Sequence, residues 1–334
     1  MQYELGGIFV FSLLAVWIVR KKAYFLGLID TPNERSVHKT HTPRGAGIAF
    51  YLAVMCITPF FHLDLLLNHV WITLAIFMVF VIGLLDDHHD AAPRIKFIVI
   101  IIATIFLYFD GLVIDDIGTF FGFDISLSWF ALLFTIFAVS GLTNALNLID
   151  GLDGLAGTIS MIILGSFFAI GYVSHDIFIM TLSSTFFVSV WAFLFYNWHP
   201  ASIFMGDSGS LTLGFVISVL SIKSLDYVST VSILFIVAIP IFDTIIVMFR
   251  RKLSGTSAFK ADAYHMHHLL KNFFQGSTQK TVLFLAMLQL IYSLTALQFS
   301  KKIDEGLLLV LFVLNIIVLY ILLNRMKKNQ ANED

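Results

Sequence analysis

The chain reads as an all-α integral membrane protein, and three observations lead there. Of its residues 58% are hydrophobic and only 13% charged, with 35 phenylalanines, far from the composition of a soluble domain. Apolar runs follow one another along the chain, most of them near the roughly 20 residues (about 17 at the least) that a helix needs to cross the hydrocarbon core. The Lys and Arg residues collect in alternate loops between those runs.

Eleven such runs are present, at about 5–19, 45–61, 70–85, 95–109, 129–146, 158–173, 177–196, 211–225, 228–249, 281–299 and 306–323. The first lacks a basic stretch before it and flows into Arg20-Lys21-Lys22, so it reads as a retained helix rather than a cleaved leader. The second holds Cys56, the only cysteine, which leaves neither a disulfide framework nor a cysteine metal site. The third ends in adjacent carboxylates, Asp86 and Asp87. Between the fourth and fifth runs, Asp110–Ser128 is acidic and Gly-containing and reads as a short cap or hairpin. The eighth is the weakest, because Thr212, Ser218 and Ser221 dilute it, and a count of ten stays open. The ninth ends at Arg250-Arg251-Lys252, and the last gives way to a polar tail.

Orientation follows from the positive-inside rule. With eleven spans, 17 of the 20 Lys and Arg residues fall on one side and only Lys223, Lys301 and Lys302 on the other. This places the N-terminus outside and the C-terminus in the cytoplasm, and puts every polar cluster on the cytoplasmic face. The longest loop, Arg250–Lys280, is too short for a soluble domain. The expectation is one polytopic membrane domain over 1–334, with active-site loops at 20–44, 86–94, 147–157, 197–210 and 250–280.

Those clusters carry the chemistry. Adjacent residues of a helix point about 100° apart, so Asp86 and Asp87 can serve two partners. A solvated helix end is the plain alternative, but carboxylates abutting lipid are costly and usually functional. In NALNLIDGLDG (144–154), Asn144, Asn147, Asp150 and Asp153 recur at every third position, which keeps neighbours on roughly one helix face. Asp207 stands between glycines just before the eighth run, where it can cap a helix; a helix N-terminus also favours phosphate oxygens. His265, His267 and His268 sit in the basic ninth loop. Zinc is one reading of a His-x-His-His cluster, although the surrounding positive charge opposes it. Contacts from imidazole, Arg and Lys to phosphate and sugar hydroxyls suit the loop better. Carboxylates and amides gathered at one membrane face fit a divalent cation and phosphates, and hence phosphoryl transfer to a lipid.

Taken in order, DTPNERSVHKTHTPRGAG (30–47), GLLDD (83–87), TNALNLIDGLDGL (143–155), FMGDSGSLTLGF (204–215) and FKADAYHMHHLL (259–270) resemble the polyprenyl-phosphate N-acetylhexosamine-1-phosphate transferases. The resemblance implies transfer of a sugar 1-phosphate from a UDP-N-acetylhexosamine to undecaprenyl phosphate, with UMP released. It implies Mg²⁺, with Mn²⁺ as the alternative ion, and a bacterial cytoplasmic (inner) membrane location. Carried over by motif, Asp207 is the principal Mg²⁺ ligand and Asn147 the second. Asp86 or Asp87 activates or orients the lipid phosphate, and Asp150 and Asp153 shape the nucleotide side together with Asn144. His265, His267 and His268, with Lys39 and Arg251, hold the phosphates of the sugar nucleotide; Arg44 is the alternative to Lys39. An eleventh helix, a cytoplasmic tail and the spaced histidines resemble the bacterial branch that begins surface polysaccharides with GlcNAc-1-phosphate. FucNAc, QuiNAc and muramyl-pentapeptide donors stay open, as does a homodimer through a lipid-facing helix. No nucleic-acid partner is expected.

Two other classes fit a polytopic chain. A secondary transporter should carry its ionisable residues near the midplane of broken helices, whereas here they gather at cytoplasmic ends. A CDP-alcohol phosphotransferase also uses helix aspartates, but Asp150-Gly-Leu-Asp153-Gly-Leu-Ala-Gly lacks the arginine of that pattern.

Overall fold

The computed structural model describes residues 2–30, 41–89, 91–253, 255 and 265–330. It is built almost wholly of helices. In order they are α1 (Gln2–Lys22), α2 (Gly47–Ile57), α3 (Pro59–Asn68), α4 (Val70–His89), α5 (Pro93–Phe109), α6 (Ala131–Ile149) and α7 (Leu155–Ser174). There follow α8 (Ile177–Asn197), α9 (Asp207–Ser224), α10 (Thr230–Ile236), α11 (Ala238–Leu253), α12 (Met266–Phe273), α13 (Thr278–Phe299) and α14 (Glu305–Gln330). Two small antiparallel hairpins interrupt them. In one, β1 (Ile29–Asp30) pairs with β2 (Thr42–Pro43); in the other, β3 (Asp116–Phe120) pairs with β4 (Phe123–Ser126), within the expected cap segment.

Among the described residues, seven helices are long and apolar enough to cross a membrane, and nine if each of two bent pairs is one span. Between α2 and α3 the axis turns by 89°; Pro59 opens α3, and the backbone leaves helical values at His62 (φ −139°, ψ 43°). Between α10 and α11 it turns by 86° at Val237. That second break frees backbone groups in the protein interior, and Gln289 of α13 takes them up. Its Oε1 accepts from Ile239 N–H at 3.0 Å and its Nε2 donates to the Ile236 carbonyl at 2.7 Å. A break at membrane depth is tolerated only when such groups are satisfied again. Some helix starts carry ordinary side-chain caps: Asp176 accepts from Ile179 N–H at the head of α8, and Ser277 from Lys280 N–H at the head of α13.

The eighth run, the weakest by hydropathy, becomes the most enclosed helix. Nearly every residue of α9 is buried, and it packs against α2, α4, α6, α7 and α8. A helix surrounded by protein needs no oily surface. Its Thr212, Ser218 and Ser221 hydroxyls donate to carbonyls one turn back, which satisfies those three within the helix itself. Small residues let its neighbours approach closely. A Cβ on Gly83 of α4 would lie 2.5 Å from the Asp207 carbonyl, and one on Gly214 would lie 2.8 Å from Thr143 of α6. Exposed apolar side chains instead stud α1, α13 and α14, the helices with the smallest buried share.

Candidate active site

At one end of the helix assembly lies a cavity of about 560 Å³. Its walls come from residues far apart in sequence: Asp30 and Arg44 beside the first hairpin, Asp86 and Asp87 at the end of α4, and Asn147 near the end of α6. Asp150 and Asp153 follow α6, Asp207 opens α9, and His268 and Lys271 belong to α12.

The centre of the site is the meeting of α4 with α9. Asp87 is 2% exposed, and its Oδ1 accepts the backbone N–H of Asp207 at 2.7 Å while Oδ2 accepts that of Ser208 at 3.0 Å. A carboxylate of α4 thus caps the N-terminus of α9, where backbone donors and the helix dipole favour negative charge. Gly206 makes this fit. Its φ of 75° lies in the left-handed region, and a Cβ there would come within 2.6 Å of Asp87 Oδ1.

Capped in this way, α9 presents the Asp207 side chain to the cavity. Its Oδ1 accepts from Asn147 Nδ2 at 2.9 Å, and its Oδ2 from Lys96 Nζ at 2.7 Å. Asn147 Nδ2 also donates to Ser210 Oγ, leaving the amide oxygen as the atom able to ligate a cation. Lys96 stands 3.1 Å from Asp86 Oδ2 as well, so one ammonium bridges Asp86 and Asp207.

The three-residue spacing seen in the sequence holds along α6 only as far as Asn147. The helix ends at Ile149, Asp150 is its C-cap, and Asp153 lies on the turn beyond. Asn144, one turn earlier, is not among the residues lining the cavity. Burial pushes the Asp150 carboxyl up to about 7, reinforced by the charges of Asp207, Asp87 and Asp153. Asp153 Oδ2 accepts from His199 Nδ1 at 2.6 Å and from Ala201 N–H at 3.1 Å. Asn197 at the end of α8 fastens the same turn, accepting from Gly154 N–H and donating to the Ile203 carbonyl, both at 2.9 Å.

The histidines divide. His268 lines the cavity, and burial, aided by the neighbouring His267 and His265, pulls its imidazole down to about 4. His265 and His267 are buried behind it, against Asp243 of α11. Arg251, in the last turn of α11, does not line the cavity, whereas Arg44 does, 3.8 Å from Asp30. Lys39 lies outside the described residues.

Lys96, Lys271, His199, Asn197 and Asp243 escape a sequence reading built on polar runs. Asp243 carried a signal, being a single carboxylate inside an apolar segment of membrane-crossing length, whereas Lys96 stands at the head of the fourth run two residues after Arg94.

The donor set tests well for a hard divalent cation. Side-chain oxygens of Asp86, Asp150, Asp207 and Asn147 line one cavity, without thiols, and such oxygens suit Mg²⁺ or Mn²⁺. Basic groups of Arg44 and Lys271 line the same cavity, as the binding of phosphates alongside the cation requires, and Lys96 stands against its carboxylates Asp86 and Asp207.

Known proteins resemble this chain along most of its length. The model of glycosyl transferase family 4 matches residues 69–225, the stretch from α4 through α9 that carries Asp86 to Asp207. The probable undecaprenyl-phosphate N-acetylglucosaminyl 1-phosphate transferase of Bacillus subtilis (strain 168) is 34% identical over 315 residues, covering 92% of this chain and 88% of the relative. The undecaprenyl-phosphate alpha-N-acetylglucosaminyl 1-phosphate transferase of Escherichia coli (strain K12) is 32% identical over 93% of this chain and 88% of its own length. The protein of that name from Yersinia pestis is 29% identical over 81% and 76%.

Proposed function

Because this chain belongs to the polyprenyl-phosphate N-acetylhexosamine-1-phosphate transferases, we propose that it moves N-acetylglucosamine 1-phosphate from UDP-N-acetylglucosamine to undecaprenyl phosphate and releases UMP. The observation that carries this reading is the Asp87–Asp207 junction. It joins motifs 120 residues apart and turns Asp207, Asp86 and Asn147 onto one cavity, with Lys96 bridging the two carboxylates.

Two polyanions must meet there, a lipid phosphate and a diphosphate. Asp207, with the amide oxygen of Asn147, would hold Mg²⁺. The ion, when bound, neutralises charge on the diphosphate and on the leaving UMP. Lys96 links Asp207 to Asp86 and keeps both carboxylates at fixed separation. Asp86 orients the lipid phosphate. A phosphate monoester has its second pKa at about 6, so at neutral pH most of it is ionised and orientation outweighs proton removal. The lipid phosphate attacks directly. Asp150 and Asp153 shape the nucleotide side, with the latter turn fixed by His199 and Asn197. Arg44, Lys271 and His268 contact the phosphates of the sugar nucleotide, with Lys39 and Arg251 as further cations of the same loops.

The chain works as one polytopic domain of eleven spans in the bacterial cytoplasmic membrane, N-terminus outside and C-terminus in the cytoplasm. Support comes from α5 and α9, which stand where the fourth and eighth runs were expected. The first has 17 residues, and the second is sheltered from lipid and so is free to carry Ser and Thr. Further support is that the cavity residues stand at the ends assigned to the cytoplasm by Lys and Arg placement.

Purified protein incubated with undecaprenyl phosphate, Mg²⁺ and a panel of UDP-sugars tests the reading through UMP release. Turnover with UDP-N-acetylglucosamine is expected. Rapid solute uptake into proteoliposomes without UMP release would favour a transporter instead.

A further inference from the structure

Asp243 is a single carboxylate in a long apolar run, 1% exposed, where an unpartnered charge would be prohibitive. It is fully engaged. Oδ1 accepts the backbone N–H of Met266, the first residue of α12, at 2.5 Å. Oδ2 accepts Nδ1 of His265 at 2.9 Å and faces Nδ1 of His267 at 3.3 Å. A carboxylate of α11 therefore caps α12 and holds both buried histidines with the same group.

His267 carries the contact further. Its other ring edge is pressed against the acidic turn, for a Cβ on Gly151 would lie 2.5 Å from His267 Nε2. Gly151 lines the cavity between Asp150 and Asp153. The ring fills the space that any side chain at 151 would need. His267 also lies against His268, with ring centroids 4.3 Å apart, and His268 and Lys271 are the α12 residues that line the cavity. Asp243 touches neither the cavity nor anything that could be bound there, yet it stands behind two of its walls.

We propose that Asp243 is a positioning residue for the sugar-nucleotide side of the site. It fixes the first turn of α12, so that His268 and Lys271 face the cavity, and through His267 it braces the Asp150–Asp153 turn. This rests on reading the cavity as the seat of a sugar nucleotide. The competing chemistry is a metal centre, since the ligand atoms of Asp243, His265 and His267 lie within 4.8 Å of one another and two imidazoles with a carboxylate suit zinc. The 2.9 Å hydrogen bond from His265 Nδ1 to Oδ2 argues for positioning, because a nitrogen that donates its proton to the carboxylate cannot ligate an ion.

The test compares wild type with Asp243→Asn and Asp243→Glu, all as full-length protein in lipid. Asp243→Asn should raise KM for UDP-N-acetylglucosamine about tenfold, the scale of one lost hydrogen bond to a charged group, and leave KM for undecaprenyl phosphate within about twofold. Asp243→Glu should restore part of the loss. Hydrogen exchange at residues 150–154 should rise in Asp243→Asn whether or not the protein turns over a UDP-sugar. That rise in Asp243→Asn beside a folded wild type that turns over no UDP-sugar would therefore count against the transferase reading and not against this one. Equal damage to both KM values, or unchanged exchange in the turn, would overturn the positioning role. So would one equivalent of zinc in the wild type that is absent from Asp243→Asn.

Discussion

Asp87 accepts the backbone N–H of Asp207 at 2.7 Å, so one acidic motif orients the other without touching its side chain. The adjacent aspartates of α4 thereby part company. Asp87 turns into the junction and serves the backbone of α9, while Asp86 turns toward Lys96 and the cavity.

The two should separate experimentally. Asp87→Asn removes the charge from two hydrogen bonds, each worth about 1.5–3 kcal/mol when one partner is ionised, so the melting temperature should fall together with turnover. Asp86→Asn should lower turnover while leaving the melting temperature near the wild-type value. Thermal unfolding in detergent beside a UMP-release assay reads both. A stable Asp87→Asn variant would show that α9 is held by packing alone.

Asp207→Asn preserves shape and removes the charge. Loss of one such electrostatic element commonly costs on the order of 10²–10³ in rate, and that is the expected fall in turnover. Near-normal rates in a folded variant would remove Asp207 from the metal site.

The role given to Asp86 concerns orientation, so the defect of Asp86→Asn should be nearly constant from pH 6.5 to 9. A general base would behave differently. Its loss should be partly rescued at alkaline pH, where the lipid phosphate ionises unaided. Rate profiles of the two proteins over that range decide between them.

Much of the site is legible in the sequence for a physical reason: polar side chains are expensive beside lipid, so Asp86, Asn147, Asp150 and Asp207 stand out from their surroundings. What the sequence hides is mutual arrangement. The eighth run looked doubtful because Ser and Thr dilute it, yet enclosure by five helices is what permits that dilution. Asn144, Asn147, Asp150 and Asp153 share a spacing but not a helix, since α6 stops at Ile149. Lys96 reads as one more cytoplasmic cation beside Arg94 and Asp243 as an isolated charge, because their partners are 111 and 22 residues away. Gln289 gave no sign of its task either, for the break it satisfies is in another helix.

Gln289 yields a prediction about folding alone. Gln289→Leu would strand the Ile239 N–H and the Ile236 carbonyl, and each buried unsatisfied group costs about 1–3 kcal/mol. Midpoints of thermal or denaturant unfolding should drop accordingly. An unchanged midpoint would mean that the bend between α10 and α11 is satisfied some other way.

His268 supplies a pH dependence. Its imidazole is held at about 4 in the folded protein, below its ordinary value, so unfolding takes up a proton in the interval between. The contribution to stability is whole above about pH 6.5 and is lost as pH falls through the folded value. His268→Gln should flatten the acid side of the stability curve, measured as melting temperature from pH 7.5 down to 4.5. An unaltered slope would place His268 in a more polar setting.

The bond broken in the proposed reaction lies between the two phosphates of the donor. UDP-N-acetylglucosamine labelled with ³²P in the β-phosphate, the one next to the sugar, tests it in a single measurement with undecaprenyl phosphate and Mg²⁺. Label should enter the lipid fraction with an equal amount of UMP in solution. Label left in solution as UDP while the sugar enters the lipid would contradict the account, as would no transfer by the folded protein.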